Sequence, residues 1–134
     1  MLAIPGYLVL KAVTGGSPSL AATTWVCRLT TGMLPTLGFL LLLWRFLATF
    51  APDVAARRTA IAAYGLGSMA LTYSILFISH QLAAICIASA WILSFEVTRG
   101  MRSPRWMVVV GALAGCAPLC DYQAAFAGVP MAIA

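Results

Sequence analysis

Residues 59–97 read TAIAAYGLGSMALTYSILFISHQLAAICIASAWILSFEV, a run of 39 residues that contains no lysine and no arginine. A helix needs roughly 20 apolar residues to cross a bilayer, so this run has the length of two crossings. Its middle, from Tyr73-Ser74 to Ser79-His80-Gln81, turns partly polar without losing its hydrophobic content. That places a tight turn near Ser79-His80-Gln81. Arginines bracket the run: Arg57-Arg58 stand before it, and Arg99, Arg102 and Arg105 follow it. Two crossings return a chain to the side it left, so both arginine hinges are expected on one side.

Composition points the same way. Of 134 residues, 63% are hydrophobic and 8% charged, and the mean hydropathy is +1.00. A soluble domain usually carries about a quarter charged residues. Eight cations and three anions cannot give this chain a wet surface, which excludes most soluble enzymes, a nucleic-acid-binding module and a disordered tail. The basic balance is no argument for nucleic acid, because the cations sit singly or in small groups between apolar runs. A β-barrel needs alternating strands, and these runs are apolar on both faces. The expected fold is therefore all-α: a polytopic transmembrane helix bundle of about four to five spans in one membrane-embedded domain covering residues 1–134.

Residues 1–20 are expected to form an interfacial or partial helix and a loop, since Pro5-Gly6 interrupts the apolar start and Thr14-Gly15-Gly16-Ser17-Pro18-Ser19 is turn-forming. Spans are expected near 29–50, 59–77, 82–97 and 106–120, with a partial span at 123–134. Pro35 and Gly38 predict a kink in the first. Gly65 and Gly67, and Gly111 and Gly115 in G-x-x-x-G spacing, offer small-residue faces for helix–helix packing. The four cysteines, Cys27, Cys86, Cys116 and Cys120, form no C-x-x-C pair and read as small buried hydrophobes.

Counting spans places Arg45, Arg57, Arg58, Arg99, Arg102 and Arg105 on one side and only Lys11 and Arg28 on the other. The positive-inside rule makes the arginine side cytoplasmic, and the opposite side then faces periplasm, cell exterior or ER lumen. The groups left outside are His80, Tyr73, Asp121 and Arg28. His80, the single histidine, is read either as a contact for an anionic phosphate or a sugar hydroxyl, or as a hydrated helix cap. Asp121 is either a functional carboxylate or an N-cap for the segment starting at Gln123. Arg28 snorkels, pairs with Asp121 or binds a lipid phosphate. Tyr73, Trp25 and Tyr122 fit an outer aromatic belt, Trp106 an inner one, and Glu96 is expected to pair with Arg99. The pattern contains no metal-ligand spacing and no nucleophile–base pair, so no metal, cofactor or catalytic residue is expected.

The run Leu71-Thr72-Tyr73-Ser74-Ile75-Leu76-Phe77-Ile78-Ser79-His80-Gln81-Leu82-Ala83-Ala84 resembles a T-x-x-x-Y-S-x-x-F-x-x-H-x-L-A-A stretch of bacterial GT-C-type membrane glycosyltransferases, relatives of the dolichyl-phosphate-mannose protein mannosyltransferases. Gly111-Ala112-Leu113-Ala114-Gly115-Cys116-Ala117-Pro118-Leu119-Cys120-Asp121-Tyr122 resembles the family's aGllaGlAvltdYp segment, and Leu2-Ala3-Ile4-Pro5-Gly6-Tyr7 is similar to its opening motif. No proline precedes Tyr73 as it does in the family. The resemblance implies transfer of a sugar from a polyprenyl-phosphate donor on the non-cytoplasmic face. His80, Asp121, Arg28 and Tyr73 would lie near the donor. The family's catalytic acidic loop has no counterpart here, so the resemblance implies an internal fragment, inactive alone. The other reading is a small non-enzymatic integral membrane protein, a helix-packing partner or a small-solute transporter. The lipid bilayer is a partner in both.

Overall fold

The computed structural model describes residues 3–76 and 78–126. Among them every regular element is a helix: α1 (Ile4–Val13), α2 (Leu20–Arg28), a π-helical turn (Leu29–Met33), α3 (Leu34–Leu47), α4 (Val54–Gly67), α5 (Met69–Ile75), α6 (Ser79–Thr98), α7 (Trp106–Cys120) and a 3₁₀ turn (Tyr122–Ala124). The all-α expectation holds. Most of the partial span expected at 123–134 lies outside the described residues.

The first long helix differs from its expected bounds. α2, the π turn and α3 run on without a break as Leu20–Leu47, 28 residues, so Arg28 lies inside a helix and not at its edge. The irregularity sits just before Pro35. A proline removes one backbone donor and its ring crowds the carbonyl one turn earlier. The wider π turn gives that carbonyl room. Thr30 and Thr31 hydroxyls donate back to the carbonyls of Val26 and Cys27, and Thr36 donates to that of Gly32 at 2.8 Å.

Gly32 also explains how α5 docks. A Cβ added there would stand 2.2 Å from the carbonyl oxygen of Ser74. Only hydrogen in place of a side chain permits this approach.

α4 begins at Val54, because the Asp53 carboxylate accepts from the amides of Ala55 and Ala56, as N-caps do. Arg57 and Arg58 thus belong to a helix and not to a loop. The span expected at 59–77 is split at Ser68, whose extended backbone (φ −118°, ψ 174°) ends α4 and whose hydroxyl caps α5. The turn expected at Ser79-His80-Gln81 comes slightly earlier: these three residues open α6. The last expected span, 106–120, matches α7.

α6 is the central helix. Its buried residues include Ala83, Ile85, Cys86, Ala90, Ile92 and Leu93. Phe39 and Phe46 of α3 pack with Ile85 and Ile92 of α6. Phe46 meets Trp91 and Phe95 toward the end of α6, while Phe39 meets Tyr64, which Gln81 at the start of α6 hydrogen-bonds, so α3 and α6 run parallel. α7 returns antiparallel, with Val110 and Leu113 against Ala90 and Leu93. Aromatic edges close one end: the Phe46 ring lies 5.6 Å and the Phe50 ring 5.7 Å from that of Phe95. The chain leaves α3 and α6 at this same end, so the 51–58 hinge and the 99–105 hinge sit together.

The expected Glu96–Arg99 pair is replaced by Glu96–Arg102. Gly100 takes φ +71°, a conformation glycine adopts without strain, and turns the chain back. The amides of Met101 and Arg102 then donate to the Glu96 carbonyl, and Arg102 Nε donates to Glu96 Oε2. Arg99 instead lies 5.1 Å above the Phe95 ring.

Two helices are long and apolar enough to cross a membrane, Leu20–Leu47 and Ser79–Thr98. α1 and α7 are apolar but shorter. Of the four glycines expected at helix interfaces, Gly65 packs on Leu40, while Gly67, Gly111 and Gly115 have nothing within 4 Å among the described residues.

Candidate functional site

The end of the bundle opposite the hinges gathers polar side chains from three helices. His80 lies in the first turn of α6, which starts at Ser79 and has Ile78 before it, with no side-chain cap. The amides of an uncapped first turn favour a nearby negative charge. That charge arrives from α7. Asp121, the residue on which α7 ends, has an extended backbone (φ −150°, ψ 116°) that swings its side chain toward α6. His80 Nδ1 donates to Asp121 Oδ2. The other carboxylate oxygen, Oδ1, accepts from the Gln123 amide at 3.2 Å and caps the 3₁₀ turn. The N-cap weighed for Asp121 is therefore present, and the other oxygen of the same carboxylate meets His80.

The pair is asymmetric in exposure. The Asp121 side chain is 12% exposed and that of His80 56%. With Nδ1–H committed to the carboxylate, Nε2 of the neutral ring is an acceptor, and it becomes a donor when the ring is protonated. Tyr73 of α5 flanks the imidazole, its ring centre 6.4 Å away at 50°.

Beneath them, Gln81 is buried and donates through Nε2 to the Tyr64 hydroxyl at 3.4 Å. Tyr64 in turn meets the Phe39 ring edge-on at 5.5 Å. The sequence marks Gln81 only as a neighbour of His80 and does not mark Tyr64 at all. Their contact joins α4 to α6 across 17 residues and has no local signature.

Arg28 is not part of this cluster. It makes no ion pair with Asp121, and its Nε is buried with no hydrogen-bond partner among the described residues. The reason is geometric: Arg28 lies within the continuous helix ahead of the π turn, while His80 occupies the Asp121 carboxylate. Trp25 and Tyr122 are exposed, and Trp106 carries the Arg102 guanidinium 4.4 Å over its ring. Cys86 is buried and Cys27, Cys116 and Cys120 partly so, all of them free thiols. Among the described residues, no three His, Cys, Asp or Glu side chains are grouped to hold a metal.

The hydrogen bond from His80 holds the Asp121 carboxyl below the usual carboxylate range; partial burial opposes this, while the Gln123 amide and the imidazole charge support it. A carboxyl with a lowered native value adds stability above its unfolded value, and that stability is lost as the pH falls through the native one. The expected result is a stability gap between the wild type and Asp121→Asn that is open at pH 7 and narrows as the pH falls below the usual carboxylate range. Thermal unfolding in detergent across that range measures it, and a gap independent of pH contradicts the assigned contact.

Set beside protein-family models, curated proteins and solved structures, the chain matches none of them.

Proposed function

We propose that the chain is a membrane-embedded bundle of four passes (α2–α3, α4–α5, α6 and α7) with its arginine hinges in the cytoplasm of a bacterial cell. The end carrying His80, Asp121 and Tyr73 then forms part of the wall of a site for a polyprenyl-phosphate-linked sugar. Three features support the membrane reading. Large apolar side chains stand exposed on several helices, among them Leu41, Leu66, Val108 and Leu119, which is 85% exposed; soluble monomers rarely expose apolar patches on this scale. The parallel course of α3 and α6 suits two crossings between the hinges. The arginine-rich end suits the cytoplasmic side.

The observation that carries the site is the His80–Asp121 contact, which joins residues 41 apart in sequence at the end that would face outward. Nε2 is free to hydrogen-bond a sugar hydroxyl, and as an imidazolium it meets a phosphate oxygen. The resemblance to GT-C-type glycosyltransferases supplies the substrate class. The catalytic carboxylate of that family has no counterpart here, so the role assigned to these residues is binding. The expected result is that His80→Ala weakens binding of a polyprenyl-phosphate-linked hexose by native membranes about tenfold, the scale of one charge-assisted hydrogen bond. Unchanged binding removes His80 from the site.

A second reading rests on α7. Gly111 and Gly115 are exposed and face open space, as the face of a helix-packing membrane protein without enzymatic function would. In that case Gly115→Leu abolishes self-association or partner capture in detergent, and donor binding is absent from the wild type.

A further inference from the structure

An apolar groove of about 590 Å³ runs between α3 and α6, lined by Phe39, Leu43, Phe46, Ala84, Ala88 and Trp91 among others. Its volume falls within the roughly 300–1,000 Å³ of small-molecule sites. Small residues form one wall, Ala84 and Ala88 one turn apart on α6, so the floor is open to a slender apolar chain. The groove leads toward the hinge end. There Trp91 stacks on Phe95 at 5.9 Å, and Arg99 lies over Phe95 at 5.1 Å. At the same hinge end, Trp44 of α3, which does not line the groove, carries the Arg57 guanidinium 4.6 Å from its ring centre.

The charge at this end is unbalanced. Among the described residues Glu96 is bound to Arg102, and Asp53 is spent on capping α4. Arg45, Arg57, Arg58, Arg99 and Arg105 have no carboxylate partner there. Arg57 Nε is, moreover, buried with no hydrogen-bond partner in the described structure. A buried guanidinium nitrogen without an acceptor is costly, and phosphate oxygens are strong acceptors for a guanidinium.

We propose that this groove is a site for an anionic phospholipid: one acyl chain lies between α3 and α6, and the phosphate rests against Arg57 and Arg99. An apolar slot leading toward an arginine-rich end matches the tail and head of one molecule. The inference rests on the membrane reading above and not on the sugar site at the opposite end.

The test uses the full chain, extracted from membranes into detergent and mixed with phosphatidylglycerol or phosphatidylcholine of identical acyl chains. Native mass spectrometry counts the lipids retained. The wild type retains phosphatidylglycerol about tenfold over phosphatidylcholine, in line with the attraction of two arginines near a lipid surface. Arg57→Gln/Arg99→Gln brings the two lipids level, while Arg57→Lys/Arg99→Lys keeps most of the preference and shows that the fold survives. Ala88→Trp, which fills the groove, lowers retention of both lipids, and Lys11→Gln at the other end changes neither. Equal retention of the two lipids by the wild type overturns the proposal. So does a preference that survives the glutamine pair, or a second copy of the chain that excludes lipid from the groove. Recovery of the protein in the soluble fraction after a carbonate wash overturns the membrane reading as well, which separates the two failures.

Discussion

Arg102→Ala lowers the unfolding free energy by about 3 kcal/mol, at the lower end of the range for breaking a buried ion pair. Glu96 is only 7% exposed, and its carboxylate accepts from Arg102 Nε. The Arg102 side chain retains 19% exposure, which keeps the effect from the top of the range. Removing the guanidinium strands a buried carboxylate and also strips the cation from the Trp106 ring. Glu96→Gln is milder, about 1 kcal/mol, because the freed arginine reaches water at the hinge. Equilibrium unfolding in mixed detergent measures both, and a loss under 1 kcal/mol for Arg102→Ala contradicts the pairing. The unequal pair of effects is specific to this arrangement. A Glu96–Arg99 pair on the helix surface predicts a few tenths of a kcal/mol for either substitution.

Gly32→Ala has the next largest effect, a loss of about 2 kcal/mol, within the usual 1–3 kcal/mol for overpacking. The added methyl meets the Ser74 carbonyl oxygen at 2.2 Å. That oxygen belongs to the α5 backbone and cannot rotate away. α5 must move off the π turn, and Tyr73, one residue from Ser74, moves with it. The control lies six residues on in the same helix. Gly38 has nothing within 4 Å, so Gly38→Ala is neutral or slightly stabilising through helix propensity. Thermal unfolding in one detergent compares the two; equal midpoints contradict the close approach.

Much of the helical plan is legible in the sequence, because length and hydropathy are carried by whole segments. The 106–120 segment and α7 coincide. The arginine clusters on either side of residues 59–97 indicate that the chain comes back, and the meeting of Phe46 and Phe50 with Phe95 brings those clusters to one end. The boundaries were less legible. Asp53 draws α4 back over Arg57 and Arg58, because a capping carboxylate outweighs the reading of two arginines as loop residues. Ser68 divides the second apolar run with a hydroxyl that serves the backbone on both sides, which hydropathy does not register. The π turn is a response to Pro35, but a proline alone does not say whether its helix bends, breaks or widens.

The site was legible as a set and not as a geometry. His80, Tyr73 and Asp121 stand out because polar residues are scarce in an apolar chain, and span counting puts them at one level. The direct contact between His80 and Asp121 depends on α6 and α7 being antiparallel neighbours, which sets the end of α7 beside the start of α6. Arg28 failed as a member because its place depends on where α2 begins. Ser19, whose hydroxyl accepts from Ala22, starts that helix nine residues earlier than the apolar run does.

The even threading of the chain between its arginine hinges is tested most directly by labelling both. In a chain whose four native cysteines are replaced by alanine, single cysteines at Pro52→Cys and Ser103→Cys are probed with a membrane-impermeant maleimide. Both are expected to stay unlabelled in intact cells and to react in inside-out vesicles, while Tyr122→Cys reacts in intact cells. Labelling of positions 52 and 103 from opposite faces contradicts the fold in its membrane and the outward site built upon it.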